Sequence, residues 1–376
     1  MAISARRRSC TLVITHQCNL NCAYCYEKYK DGRSMDEATA KKIIQDEFAH
    51  TRDSSEYDEI EVDFFGGEPF CRFEMMKSIM EWCWSRKWDV PYIFSATTNG
   101  TLLSADIKRW LRENKDRFKV ILSCDGLANS HNLNRNGSAG VIDFDFFKEV
   151  YPDQFLKMTV SPATVNEFSR DVTDLLERGF LVAPGWAYGM NWHWLEILEY
   201  RKQLLTLAEY FLAHPDKPLI PIFEKDLRVI FNREPIARTC GCGLQMSTYD
   251  VDGNAYPCQL FLPIVTGRQY GGSIPHDGAL NDTRCDGCCI ERVCKTCYGF
   301  NVIDNGQPTK RSMVYCYMSQ AEIIACAWYL YKKAESTIRR GEKLDVVLGL
   351  NVKAALKILD AKMGLDKSRK YKGVEL

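Results

Sequence analysis

Cys18-Asn-Leu-Asn-Cys22-Ala-Tyr-Cys25 decides how this chain is read. Three thiols at C-x3-C-x2-C spacing follow an apolar run, Thr11-Leu-Val-Ile-Thr15. Thiols this close cannot easily close disulfides with one another, but they can converge on one soft metal centre. Thiolates select iron–sulfur clusters, zinc or Cu(I). A four-iron cubane normally takes four protein sulfurs, so three leave one iron open to an external ligand. Tyr24 adds an aromatic ring inside the loop. The spacing alone also allows a zinc knuckle, or thiols buried without metal.

The chain has 376 residues, enough for one large domain or two. Basic and acidic side chains number 49 each, a balance that leaves no electrostatic footprint for nucleic acid. No apolar run approaches the roughly 20 residues of a membrane span. The basic start, Met-Ala-Ile-Ser-Ala-Arg-Arg-Arg, lacks an apolar stretch long enough for a secretory signal. The expected location is therefore the cytoplasm, where thiols stay reduced. Its 17 cysteines then signal metal more than disulfides. Three fall in 18–25 and nine in 240–316, while Cys10, Cys71, Cys83, Cys124 and Cys326 are scattered and read as small core hydrophobes.

Residues 10–15 read as a buried strand. Ser34-Met-Asp-Glu37 reads as a capping box opening a helix to about His50. A second strand, Glu59–Phe65, runs into Gly66-Gly67-Glu68-Pro69, where glycine permits close approach and proline stops the strand. Helices are expected at Arg72–Lys87, Ser104–Asp116 and Asn166–Arg178. Strands are expected at Tyr92–Thr98, Lys119–Cys124 and Phe155–Ser161, with a sixth opening at Phe180–Ala183. This βαβα alternation predicts an α/β fold with a parallel sheet and outer helices. Function in such folds sits at the carboxyl ends of the strands. The cysteine loop, GGEP, Thr97-Thr-Asn-Gly100 and Ser123-Cys-Asp-Gly126 each follow a strand.

Beyond these elements, His193–Leu212 reads as a long amphipathic helix, with His193 and His214 structural rather than catalytic. Pro215, Pro218 and Pro221 break the chain after it. The second cysteine field runs through Cys240-Gly-Cys242, Gly253-x4-Cys258, Cys285-x2-Cys288, Cys289, Cys294, Cys297 and Cys316. A zinc ribbon needs only four of these, and nine support two clusters more naturally. Ala321–Ile338 and Lys343–Met363 read as amphipathic helices, and 367–372 as a frayed charge run.

Residues 9–190 resemble the partial (β/α)6, TIM-like barrel of the radical S-adenosylmethionine (SAM) superfamily. The resemblance implies that Cys18, Cys22 and Cys25 hold a [4Fe-4S] cluster whose open iron chelates SAM. It implies that Tyr24 lies against the adenine and that Gly66, Gly67, Glu68 and Pro69 meet the SAM amino group. Ser123 and Asp125 match the ribose-contacting strand end, and Arg135 the arginine paired with the SAM carboxylate. A guanidinium suits that bidentate contact. Thr98 and Asn99 either join this site or cap the third strand.

Residues 238–318 resemble the SPASM domain, whose pattern runs C-x9-15-G-x4-C, then C-x2-C-x5-C-x3-C, then a last cysteine. Cys297 departs from it by following Cys294 after two residues rather than three. By this resemblance, Cys285, Cys288, Cys294 and Cys316 hold one auxiliary cluster. Cys258, Cys297 and one or both of Cys240 and Cys242 hold another, for three [4Fe-4S] clusters in all. Residues 191–237 then form a helical bridge, and 319–376 C-terminal helices and tail.

The resemblance extends to ribosomal-peptide maturases and, more distantly, to anaerobic sulfatase maturases. It implies reductive cleavage of SAM to a 5′-deoxyadenosyl radical, which takes a hydrogen atom from a substrate. The implied partners are a precursor peptide and an electron donor such as flavodoxin or ferredoxin, with no nucleic acid and no membrane. The expected product is a side-chain crosslink, most often a thioether from a peptide cysteine. If only one of Cys240 and Cys242 binds, an open iron is left for a substrate thiolate, and the peptide reading favours that arrangement. The alternatives are formylglycine formation from Cys or Ser, and a non-enzymatic electron carrier. Gln259 stands where the sulfatase maturases carry an acid, and no N-terminal leader-binding wing is visible before Cys18.

Overall fold

Short apolar strands alternate with amphipathic helices along the first half of the chain. The structure, a computed structural model, describes residues 6–234, 240–275, 280 and 282–363. β1 (Arg7–Thr15), β2 (Glu59–Gly66), β3 (Tyr92–Thr98) and β4 (Phe118–Leu122) pair in parallel, each beside its neighbour in sequence. Along β2 burial alternates strictly, with Ile60, Val62 and Phe64 fully buried. Phe64 stacks on Phe94 at 5.5 Å between centroids. β5 (Phe155–Val160) joins β4 through a parallel bridge between Ser123 and Lys157, and β5 and β6 (Leu181–Trp186) form a two-stranded sheet.

The chain divides into two compact units. The first comprises Met1–Met158 and Gly241–Ile274, the second Thr159–Cys240 and Pro275–Leu376. The first therefore takes in part of the cysteine-rich segment. β7 (Met246–Tyr249) lies parallel to β1 with Ser9 opposite Met246, and β8 (Ala255–Tyr256) pairs antiparallel with β7. The buried Arg8–Glu47 pair, at 2.6 Å, secures this edge. Arg8 Nη2 donates to Ser247 Oγ at 2.8 Å, and Tyr249 Oη donates to Glu47 Oε1 at 2.6 Å. The second unit packs α7 (Trp194–Ala213), α10 (Met313–Arg339) and α11 (Val346–Met363) through Leu204, Leu207, Ile324, Ala355 and Ile358. No described helix is long and apolar enough to cross a membrane.

Several local expectations shift. α1 (Glu37–Asp53) is capped by Asp36, whose side chain accepts from Thr39 N–H at 2.9 Å. Ser34 instead faces Thr15, with their hydroxyls 2.9 Å apart. α2 (Phe73–Trp84) and α3 (Ala105–Asn114) are shorter than expected. Four short helices lie outside the expected elements: α4 (Ala128–Asn134), α5 (Phe144–Val150), α8 (Pro263–Thr266) and α9 (Tyr298–Asn305). α6 (Phe168–Glu177) follows a 3-10 turn at Val165–Glu167. α10 begins at Met313, because Ser312 accepts from Tyr315 N–H at 3.3 Å, and this takes Cys316 into the helix. His193 and His214 flank α7 as its N-cap and C-cap residues. The 367–372 charge run lies outside the described residues.

Candidate functional site

β1 to β4 end at one mouth, and the loops after them interlock. Gly67 N–H donates to Thr15 O at 3.0 Å, and Glu68 N–H to Gln17 O at 2.8 Å. A Cβ on Gly66 would lie 2.0 Å from Thr15 O, and one on Gly67 2.4 Å from Gln17 O. The paired glycines therefore let the GGEP turn lie directly on the chain entering the cysteine loop.

Glu68 is buried and ties three segments. It accepts from Thr98 Oγ1 at 2.7 Å, from Asn99 N–H at 2.7 Å and from Phe70 N–H at 3.1 Å. Burial raises its pKa, and these donors oppose the shift. Asn99 Nδ2 continues the net to Asn19 Oδ1 in the cysteine loop at 2.9 Å. Thr98 and Asn99 thus bind the loops to one another rather than merely ending β3. Pro69 opens the following 3-10 turn, Pro69–Arg72.

Across the mouth, Tyr24 Oη donates to Asp125 Oδ2 at 2.7 Å, and Arg135 Nε donates to the same oxygen at 2.9 Å. The Arg135 guanidinium lies 5.5 Å from the centroid of the Tyr24 ring. The Asp125 side chain is 0% and the Arg135 side chain 9% exposed, so this is a desolvated ion pair. Ser123 is buried at the end of β4, its N–H donating to Thr98 O at 2.9 Å. Arg135 caps α4, whose Asn134 O accepts from Ala23 N–H at 2.9 Å.

Cys18, Cys22 and Cys25 are half-buried and close enough to act on one another electrostatically. Burial pushes the Cys22 thiol up to about 11, with Arg135 opposing. Lys30 Nζ donates to Cys25 Sγ at 3.2 Å.

In the second unit, Cys285, Cys294 and Cys316 all act on the buried Arg311, and Cys288 acts on Cys294. Cys297 precedes α9 (Tyr298–Asn305), and it and Cys240 act on Tyr188. Cys242 and Cys258 are buried in the first unit, where Gly243 N–H donates to Pro257 O at 2.9 Å.

A family model described as a 4Fe-4S single cluster domain matches residues 7–136. The uncharacterized protein MJ0907 of Methanocaldococcus jannaschii is 32% identical over 134 residues, 35% of this chain and 44% of that one. The match thus spans less than half of that relative's length. A cysteine-type anaerobic sulfatase-maturating enzyme of Clostridium perfringens is 24% identical over 281 residues, 65% of this chain and 72% of that one. Among solved structures, anSMEcpe with bound AdoMet and Kp18Cys peptide aligns over 89% of this chain and 99% of that one, with TM-score 0.66 and 20% identity. SuiB of Streptococcus suis bound to its precursor peptide SuiA aligns over 82% and 76%, with TM-score 0.55 and 15% identity. This is the radical SAM/SPASM-type fold.

Several groups around the cysteines carry little or no signal in the sequence. Lys30 carries a weak signal, a cation five residues after the last loop cysteine. Arg311 carries none, since its approach to Cys294 spans 17 residues and depends on how the loops close. Asp63, half-buried on β2, has its pKa raised to about 7 by desolvation, and Lys157, exposed on β5, opposes the shift. Cys71 needs correction. Cys10, Cys83, Cys124 and Cys326 are buried as expected, but Cys71 is half-buried and feels Cys18 and Glu68, because the turn after Pro69 carries it toward the cysteine loop.

His131 supports the Asp125 loop and sets a pH dependence. Its Nδ1 accepts from Asp125 N–H at 3.3 Å and its Nε2 lies 3.0 Å from Ser138 Oγ. Burial lowers its pKa to about 4. A histidine held neutral contributes stability above its unfolded pKa of about 6.5 and loses it as pH falls toward 4. The unfolding free energy from denaturant titrations should fall through that window by up to about 3 kcal/mol, and His131→Asn should remove this part of the slope.

Proposed function

We propose that this chain is a radical SAM peptide maturase that crosslinks a side chain of a ribosomally made precursor, through a thioether from a peptide cysteine. The observation that carries the reading is the mouth of β1 to β4, where three interacting thiols share a loop network with a buried carboxylate and a buried guanidinium. That donor set fits a cluster beside a zwitterion. Cys18, Cys22 and Cys25 would hold the cluster. Glu68 would face the SAM ammonium, Arg135 its carboxylate, Asp125 and Ser123 the ribose, and Tyr24 the adenine. When bound, cluster and SAM supply one-electron chemistry that removes a hydrogen atom from substrate. The protein's part is to supply thiols whose protons metal binding releases to solvent, to orient the ligand and to exclude water.

A second [4Fe-4S] cluster would be held by Cys285, Cys288, Cys294 and Cys316. The shared action of Cys285, Cys294 and Cys316 on Arg311, and the unmet buried Nε–H of that side chain, fit an acceptor-rich centre. A third would draw on the cysteines left over in the 240–316 field. Within the second unit a cavity of about 210 Å³ is lined by Trp186, Tyr188, Tyr315, Lys225 and Glu322. It is smaller than the roughly 300–1,000 Å³ of small-molecule sites and suits one side chain of an extended peptide. Lys225 and Glu322 pair at 3.1 Å on its wall.

The similarity to a sulfatase-maturating enzyme favours a second reading, oxidation of Cys or Ser to formylglycine. Gln259, which opens the turn after Cys258, lacks the basicity of the acid expected there. An electron carrier would have no use for the Glu68, Asp125 and Arg135 network. The reductant in the cell would be a flavodoxin or ferredoxin, which dithionite replaces in the test. Reduced, anaerobically reconstituted protein is incubated with SAM and the cysteine-containing peptide encoded beside its gene, and separately with the Kp18Cys peptide. Loss of two hydrogens with the sulfur retained is the expected result. Loss of the sulfur supports formylglycine formation, and absence of 5′-deoxyadenosine overturns both enzyme readings.

A further inference from the structure

Three nitrogen donors from outside the cysteine motif reach sulfurs of the second unit. Arg311 Nη1 donates to Cys294 Sγ at 3.3 Å, Gln320 Nε2 to Cys316 Sγ at 3.2 Å, and Lys362 Nζ to Cys288 Sγ at 3.7 Å. Arg311 is 4% exposed and held from two sides. Its backbone N–H donates to Asp282 Oδ2 at 3.1 Å, and Nη1 also donates to Lys295 O at 3.1 Å. Its Nε–H is buried without an acceptor among the described residues, a costly state that a nearby sulfur would relieve. Arg284 adds a further cation acting on Cys285 and Cys316, itself paired with Asp282.

We propose that Arg311, assisted by Gln320 and Lys362, is a positioning residue that raises the reduction potential of a cluster held by Cys285, Cys288, Cys294 and Cys316. The inference rests on the reading that these four cysteines hold a [4Fe-4S] cluster. Reduction adds one electron, taken from the external donor, and so adds one negative charge to a buried centre already surrounded by thiolates. Cluster potentials follow net charge, hydrogen bonds to the sulfurs and exposure. A buried guanidinium bonded to Cys294 stabilises the more negative, reduced state. Gln320 acts in the same direction through its N–H···S bond alone, and Lys362, more exposed and farther away, contributes least.

The test is a redox titration followed by electron paramagnetic resonance, using full-length reconstituted protein in a Cys18/Cys22/Cys25→Ala background. The relevant signal is the one that Cys285/Cys288→Ala removes. Arg311→Met should lower the equilibrium constant for reduction at least tenfold, about 59 mV for one electron. Arg311→Lys should recover part of this, and Gln320→Leu should give a smaller shift of the same sign. Should Arg311→Met lose iron, Gln320→Leu decides. Unchanged potentials at unchanged iron content overturn the proposal and leave the cluster reading standing. If Cys285/Cys288→Ala removes neither iron nor signal, the cluster reading fails, and the tuning role with it.

Discussion

Replacing Cys18, Cys22 and Cys25 together by alanine should abolish release of 5′-deoxyadenosine from SAM and remove one cluster's iron and sulfide. The three thiols are half-buried in one loop and act on one another, so no single remaining sulfur can hold a cubane there. The loop owes its position to backbone bonds rather than to the thiols. The backbone bonds from Glu68 N–H to Gln17 O and from Ala23 N–H to Asn134 O survive the substitution, as does the side-chain hydrogen bond from Asn99 Nδ2 to Asn19 Oδ1. The variant should therefore fold, keep the auxiliary signals and show an unfolding midpoint close to wild type. Anaerobically purified wild-type protein that carries zinc and no iron would sink the cluster reading, returning the loop to a zinc knuckle.

Arg135→Ala should produce the second largest effect, and it should be visible in both stability and SAM affinity. In the free protein Arg135 is the cationic partner of Asp125, whose side chain has no exposure. Removing one member of a buried ion pair typically costs about 3–5 kcal/mol, because the other charge stays desolvated. Tyr24 Oη continues to donate to Asp125 and softens the loss. Adding Asp125→Asn to Arg135→Ala should return most of the stability, since it removes the orphaned charge. SAM affinity behaves differently. Loss of a charge-assisted pair with the SAM carboxylate should weaken binding by on the order of 1.5–3 kcal/mol, and the second substitution cannot restore it. Equilibrium binding of SAM to wild type, single and double variants separates the two roles. Wild-type affinity in the refolded double variant would refute both ligand assignments and leave the pair a structural clamp.

Much of this molecule was legible without coordinates, and each success has a local cause. β3 runs from Tyr92 to Thr98 as the apolar run ending in TTNG indicates, and α3 follows its serine cap at Ser104. The strand–loop–helix alternation implied a parallel sheet, and a parallel sheet gathers its strand ends. The cysteine, GGEP, TTNG and SCDG loops could thus be placed at one mouth from spacing alone. Cysteine density separated the loop at 18–25 from the field at 240–316, because thiols converging on a soft metal must cluster.

What tertiary structure alone decided is which distant residues meet. Residues 246–249 carry no mark showing that they pair with β1, and they do so because Arg8, Glu47 and Tyr249 bury complementary polar groups at that edge. The glycines of GGEP signal freedom in the sequence, whereas the structure shows a close approach to Thr15 and Gln17. Asp125 and Arg135 stand apart in the sequence, and only the folded chain shows that they pair at 2.9 Å. Arg311 reaches Cys294 only because the loop between α9 and α10 closes over it. Helix periods, caps and motif spacing arise within a few residues and are written in order along the chain. Charge pairing and burial depend on which surfaces lose water together, and only the folded chain brings those surfaces into contact.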